Sequence, residues 1–105
     1  PTFNPVGPWI VTADEFDPSD VRLWSTVDGE KRQDSRTSDM VFGIDHCVWY
    51  ISQFMELKAG DIINTGTPAG VGMGHKPEKY LKPGQVVETG IDGIGTIKSN
   101  VVASK

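Results

Sequence analysis

One cysteine, Cys47, is the whole thiol content of the 105-residue sequence, so no disulfide can form within it. Without a cysteine framework or a secretory leader, a reducing cytoplasmic setting is the default expectation. Apolar runs are short, and none approaches the roughly 20 residues needed to cross a bilayer. Basic residues are few as well: ten Lys and Arg stand against fourteen Asp and Glu, for a net charge of −4 and a pI near 5.0. Only Lys31 and Arg32 are adjacent. Nucleic acids and anionic membranes are held by clustered cations, so neither is expected as a partner. A starting methionine is missing too. The opening stretch PTFNPVGPW, with Pro1, Pro5 and Pro8, shows neither a helix start nor strand alternation. It reads as an ordered loop cut from the middle of something longer, or as a processed N-terminus.

What is present suffices for one small domain. A chain of this size buries roughly two-thirds of its unfolded surface, which allows a core of its own without assuring it. The composition, 37% hydrophobic and 23% charged, is that of an ordinary globular protein. Glycine is the departure: nine of the twelve lie at or after Gly60, the mark of a chain that turns often between short strands.

The order of elements follows from periodicity. Trp9 to Thr12 is a short β-type run, and Asp14 to Asp20 an acidic turn with Pro18 inside it. Val21, Leu23 and Val27 then share one face of a strand, with Arg22, Trp24 and Thr26 on the other. Asp28-Gly29 predicts a type I′ hairpin, with a return strand from Glu30 to about Ser35. Apolar residues at 44, 47, 48, 51, 54 and 55 predict a helix over Ile44–Met55. Asp45 suits its N-terminal end, Lys58 its C-terminal end, and Gly60 a left-handed stop. Leu57-Lys58-Ala59-Gly60-Asp61-Ile62-Ile63 is echoed by Leu81-Lys82-Pro83-Gly84-Gln85-Val86-Val87, one turn-into-strand solution used twice. The first echo leads into a strand over Asp61–Asn64. Asp92-Gly93 predicts a second type I′ hairpin, between Val86–Ile91 and Ile94–Val102. The class is α+β, mainly β, with no βαβ series.

The segment Thr65-Gly66-Thr67-Pro68-Ala69-Gly70-Val71-Gly72-Met73-Gly74 holds four glycines and two threonines. Glycines let backbone N–H groups approach a ligand, and a threonine hydroxyl can donate to an anion. Such a loop suits a carboxylate or phosphate nest, though a tight turn would use the same residues. It is neither a Walker loop nor a dinucleotide fingerprint, since no Lys-Ser/Thr pair and no helix start follow. The carboxylates between Asp14 and Asp20 do not converge as metal ligands and read as a solvated turn. His46 and Cys47 are helix neighbours about 100° apart, so they form no catalytic pair. Cys47 falls on the apolar stripe as a core residue, and His46 is a structural or exposed position. His75 follows the glycine loop at its rim or apart from it. Trp9, Trp24 and Trp49 are spread too widely for a stacking platform and serve packing.

The consecutive blocks GPWIVTADE, VDGEKRQDS, SDMVF, ISQFMELKAGDIINTGTPAGVG and YLKPGQVVETGIDGIGTIKS resemble the C-terminal part of the fumarylacetoacetate hydrolase family. The likeness is greatest to its bacterial branch acting on acylpyruvates and diketo sugar acids. It spans about Phe3 to Val102, with residues 60–72 the most specific part. It implies a mixed β-roll in which residues 1–105 are the C-terminal portion of a single catalytic domain. It further implies Mg²⁺ or Mn²⁺ held by a Glu-x-Glu pair and a later aspartate, all in segments before the equivalent of Pro1. A substrate-side lysine and the lid glutamate and histidine would also lie there, so no metal ligand is assigned within this chain. Thr67 would act catalytically, its hydroxyl binding the carboxylate or oxo oxygen of a 2-oxo acid, with the Gly66 backbone shaping that contact. The implied activity is hydrolysis of a C–C bond in acylpyruvates or 2,4-diketo acids. Relatives with tautomerase, decarboxylase or isomerase activity stand as alternatives, as does a catalytically silent or dimerising module. The implied partners are the small 2-oxo acid substrate, an N-terminal portion of the same protein and a second copy in a homodimer.

Overall fold

The computed structural model describes residues 3–104. Two β-hairpins lie side by side: β1 (Arg22–Val27) with β2 (Glu30–Arg36), and β3 (Val86–Ile91) with β4 (Gly95–Asn100). Pairing of β1 with β3 joins them into one sheet of order β2-β1-β3-β4, antiparallel throughout. Between the hairpins run a 3₁₀ turn at Thr37–Asp39, the helix α1 (Ile44–Ser52), and a long irregular segment with a second 3₁₀ turn at Gly72–Gly74. This is the mainly β, α+β layout that the sequence implies.

The first hairpin turns where Asp28-Gly29 places it. Asp28 has φ 51° and Gly29 φ 80°, the two positive values a type I′ turn requires. Asp28 also ties the hairpins together: its Oδ1 accepts from the Val86 N–H at 2.8 Å and its Oδ2 from the Gln85 amide at 3.1 Å. Val27 pairs with Glu30 and Thr26 with Lys31, but Ser25 then faces Gln33. Arg32 is the extra residue of a β-bulge, and regular pairing resumes beyond it.

The second hairpin differs from expectation. Ile91 pairs with Gly95, so the loop is Asp92-Gly93-Ile94. Of the Asp-Gly pair only Gly93 has a positive φ, 85°, and a type I′ turn would need two. Three aromatic side chains cover the glycines of this hairpin. Trp24 lies over its cross-strand partner Gly90, Phe16 over Gly93 and Trp9 over Gly95. The Trp9 indole N–H donates to the Ile94 carbonyl at 3.0 Å. Trp9 to Thr12 is therefore no strand; that segment docks through its side chain.

The echoed sequences do share one turn. In each, a glycine with positive φ (99° at Gly60, 92° at Gly84) sits third, where a type II turn places it. The side chain of the fourth residue, Asp61 or Gln85, accepts from the N–H of the first, Lys58 or Lys82. Only the second copy leads into a strand. Residues 61–64 find no strand to pair with among the described residues and stay irregular.

Helix α1 is shorter than its periodicity predicts. Gln53 and Phe54 donate backward to Tyr50 and Ile51 in tightened turns. The Ser52 hydroxyl and Gln53 amide both cap the Trp49 carbonyl, so the helix ends at Ser52 and Gly60 is not its stop. None of its residues is buried; on its apolar stripe Cys47 and Ile51 are half-buried and the rest is exposed.

Cross-strand partners share a face, which puts Leu23, Ser25, Val27, Gln33, Val87, Thr89 and Ile91 on one side of the sheet. The irregular segment crosses that side. The other side carries Trp24 and the ion pairs Arg22–Asp34–Lys31 and Lys98–Glu88. Val27 is the one buried hydrophobic side chain among the described residues. The accessible surface is 8452 Å², against about 5,800 Å² for a folded monomer of this mass. The radius of gyration, 15.3 Å, exceeds the roughly 13 Å of a domain this long.

Candidate functional site

Thr67 stands where the glycine-rich segment crosses the sheet. Gly66, with φ 122°, turns the backbone so that Thr67 and Pro68 form a ridge. On one side lies a groove of about 530 Å³, lined by Trp9, Leu23, Trp24, Ile91 and Ile97 among others. On the other lies a groove of about 510 Å³, lined by Leu23, Arg36, Met40, Phe42 and Ile91 among others. Gly66, Thr67 and Pro68 line both.

Three close approaches fix the ridge. A Cβ at Gly70 would overlap the Arg32 carbonyl, the bulged residue of β2, and one at Gly72 would overlap the Lys79 carbonyl. The Lys79 N–H donates to the Gly72 carbonyl at 2.9 Å. Most directly, Gln33 reaches up from β2: its Nε2 donates to Thr67 Oγ1 at 2.7 Å and to the Pro68 carbonyl at 3.0 Å. Its Oε1 accepts from the Ser25 hydroxyl at 3.0 Å, and the Pro68 carbonyl, which can only accept, fixes the N–H end of the amide toward the ridge.

The chemistry of Thr67 follows. A hydroxyl has one proton to give and two lone pairs. Gln33 occupies a lone pair, and the remaining contact, to the Pro68 carbonyl, is long at 3.5 Å. Thr67 is exposed, so its O–H is available to an acceptor in either groove. Asp39 is the one carboxylate that lines them. Its Oδ2 is already bound by the Ser35 hydroxyl at 2.6 Å and the Arg36 N–H at 3.1 Å, and these contacts hold its pKa below the usual carboxylate range. Asp39 is thereby kept ionised, and Arg36, which lines the same groove, is the cation beside it.

The other candidates lie elsewhere. His46 is exposed and stacks on Phe42 and Tyr50, and Trp49 and Phe54 extend the same aromatic row. Cys47 is half-buried, its thiol 3.9 Å from the Phe42 carbonyl. His75 lines neither groove. The acidic turn is a solvated one: Asp17 caps Ser19, and Asp20 pairs with Arg36 at 2.6 Å. Among the described residues, no three His, Cys, Asp or Glu side chains are placed to hold a metal ion. No helix of the described residues is long and apolar enough to cross a membrane.

The sequence singles out Thr67 and Gly66 and misses Gln33 and Ser25. A regular two-residue hairpin would set Arg32 opposite Ser25, and only the bulge brings Gln33 there. No residue pattern in β2 announces that extra residue.

Comparison with known proteins supplies the family context. The sequence model of the fumarylacetoacetate hydrolase C-terminal region matches residues 1–102. Proteins of Burkholderia multivorans and Burkholderia ambifaria, whose names assign them provisionally to the hydrolases, are 52% and 53% identical over 96 residues. Those residues are 90% of this chain and 34% of each relative, so the chain spans about a third of their length. A fumarylacetoacetate hydrolase from Exiguobacterium antarcticum superposes with a TM-score of 0.91 at 47% identity, over 95% of this chain and 36% of its own. A 2-hydroxyhepta-2,4-diene-1,7-dioate isomerase from Mycobacterium marinum gives 0.84 at 44%, over 96% and 36%. A maleylpyruvate hydrolase from Sphingobium sp. SYK-6 gives 0.88 at 38%, over 98% and 36%.

Proposed function

The chain belongs to the fumarylacetoacetate hydrolase family, and on that premise we propose that it forms the 2-oxo-acid-binding side of a hydrolase active site. The carrying observation is the exposed Thr67 hydroxyl at the junction of two grooves, its lone pair held by Gln33 and its proton engaged only by a long 3.5 Å contact to the Pro68 carbonyl. That donor suits the carboxylate or oxo oxygen of an acylpyruvate or other 2,4-diketo acid. The apolar walls, Leu23 and Ile91, suit the acyl portion. In the reaction, water adds across the bond between the acyl carbonyl and the methylene carbon, giving a carboxylate, pyruvate or its analogue, and a proton. The relative named as a maleylpyruvate hydrolase supports this class.

The dependence on Mg²⁺ or Mn²⁺ belongs to this proposal and is assigned to residues outside the chain, together with water activation. Residues 1–105 are accordingly the C-terminal portion of one catalytic domain, which works as a homodimer. A second reading, isomerisation or tautomerisation of a 2-oxo acid at the same Thr67, is favoured by the 44%-identical neighbour named as an isomerase.

The test assays the intact protein on acetylpyruvate and on oxaloacetate, with and without Mg²⁺. Magnesium-dependent release of pyruvate from acetylpyruvate is the expected result. Rapid enol–keto exchange of oxaloacetate without cleavage of acetylpyruvate would select the second reading. Thr67→Val should lower kcat/KM by about ten- to a hundredfold, the size of one hydrogen bond to a charged group.

A further inference from the structure

We infer that Gln33 is a positioning residue: seated by the bulge opposite Ser25, its amide holds the Thr67 hydroxyl with the proton turned toward the bound 2-oxo acid. The inference rests on the role proposed for Thr67 and adds the device that orients it.

The geometry forms a directed relay. Ser25 is buried, and its hydroxyl donates to Gln33 Oε1. The Pro68 carbonyl can only accept, so the amide is presented N–H outward with Oε1 seated on Ser25, and both of its protons are used, one on Thr67 Oγ1 and one on the Pro68 carbonyl. An acceptor in place of that N–H would draw the threonine proton inward, away from the grooves. The identity of residue 33 thus decides whether Thr67 presents a donor or an acceptor. A residue serving packing alone would need neither the amide polarity nor the second bond to Pro68. The Pro68 bond fixes the ridge itself, so one side chain sets both the position of the hydroxyl and its direction.

The test is a double-mutant cycle on the intact protein. It is read as the dissociation constant for pyruvate, the simplest 2-oxo acid, with melting curves recorded alongside. Thr67→Val and Gln33→Met should each weaken binding about tenfold, and the pair no more than either alone, since one deletes the donor and the other only its orientation, so both act through the same contact. Gln33→Glu adds a signature that packing does not produce. Its ionised carboxylate accepts where the amide donates, so binding should be weak at pH 7. It should recover as the pH falls toward about 4.3, where the carboxyl proton becomes a donor. Gln33→Met should show no such recovery.

Should the Gln33 variants fail to fold, Ser25→Ala carries the test. It is expected to weaken pyruvate binding in the parent and to have no effect in the Thr67→Val background. Additive losses from Thr67→Val and Gln33→Met, or a silent Ser25→Ala, would overturn the positioning role while leaving Thr67 as the substrate contact. Unchanged pyruvate binding in Thr67→Val would overturn the reading beneath it, and the role of Gln33 with it.

Discussion

Asp34 on β2 accepts from the Arg22 guanidinium at 2.7 and 3.0 Å and from the Lys31 ammonium at 3.1 Å. The Arg22 bonds first and then Lys31 hold its carboxyl well below the usual range, and Arg36 and Ser38 do the same for Asp20. A depressed pKa in the folded state stabilises above the unfolded carboxyl value, and that stability is lost as the pH falls through the folded value. Thermal stability of the intact protein should therefore be level from pH 8 to about 5 and decline below about 4. Asp34→Asn should flatten the decline and change little at neutral pH, because the pair is open to solvent. Gly90 tests steric fit instead: an added Cβ would sit 2.5 Å from the Trp24 ring. Gly90→Val should cost about 1–3 kcal/mol of unfolding free energy, read by denaturant titration. Thr67 stands out as a candidate at this scale because a threonine amid glycines is unusual in itself. Gln33 does not, since its partners Ser25 and Thr67 are set by a register that sequence spacing misplaces.

Turns were the most legible elements, because each is a local solution with its own residue requirements. Asp28-Gly29 and the two Lys-x-Gly turns needed no distant partner to be read. Residues 9–12 and 61–64 have strand-like composition, yet a strand exists only where another backbone pairs with it, and none does here. Trp9 spends its side chain on Ile94 and Gly95 instead. The helix periodicity was correct in phase and too long in extent, since Ser52 and Gln53 bend back to cap Trp49. One element-level prediction concerns Asp28, which combines a positive φ with acceptors for Gln85 and Val86. Asp28→Ala loses both and should destabilise by about 1–2 kcal/mol. Asp28→Asn, which tolerates that φ and keeps an oxygen for Val86, should cost less than half as much in the same titration.

At the scale of the molecule, the excess of surface is the governing fact. Trp49, Tyr50, Phe54, Met55, Ile62 and Met73 are each more than half exposed, and the rings of Trp49, Tyr50 and Phe54 run together, more apolar surface than a monomer of this size leaves open. Composition could not reveal this, because 37% hydrophobic residues would fill an ordinary core. What distinguishes the chain is that its sheet and helix do not cover one another. The chain of 105 residues expressed alone should bind a hydrophobic dye such as ANS and elute as an associated species. A monodisperse, dye-free monomer with a sharp melt would contradict that. The same preparation should release no pyruvate from acetylpyruvate in the presence of Mg²⁺, whereas the intact protein should.

The bulge at Arg32 also bears on which changes in chain length this region tolerates. Removing Arg32 would leave Lys31 opposite Thr26 and Gln33 opposite Ser25, because a regular hairpin reaches that same pairing one residue sooner. Removing Asp34 would instead shift Ser35 and Arg36 by one place and turn each to the wrong face of the sheet. Loss of Arg32 should therefore spare the relay to Thr67 and forfeit chiefly the seat against Gly70. Single-residue gaps among related sequences should fall at the bulge and not beyond it.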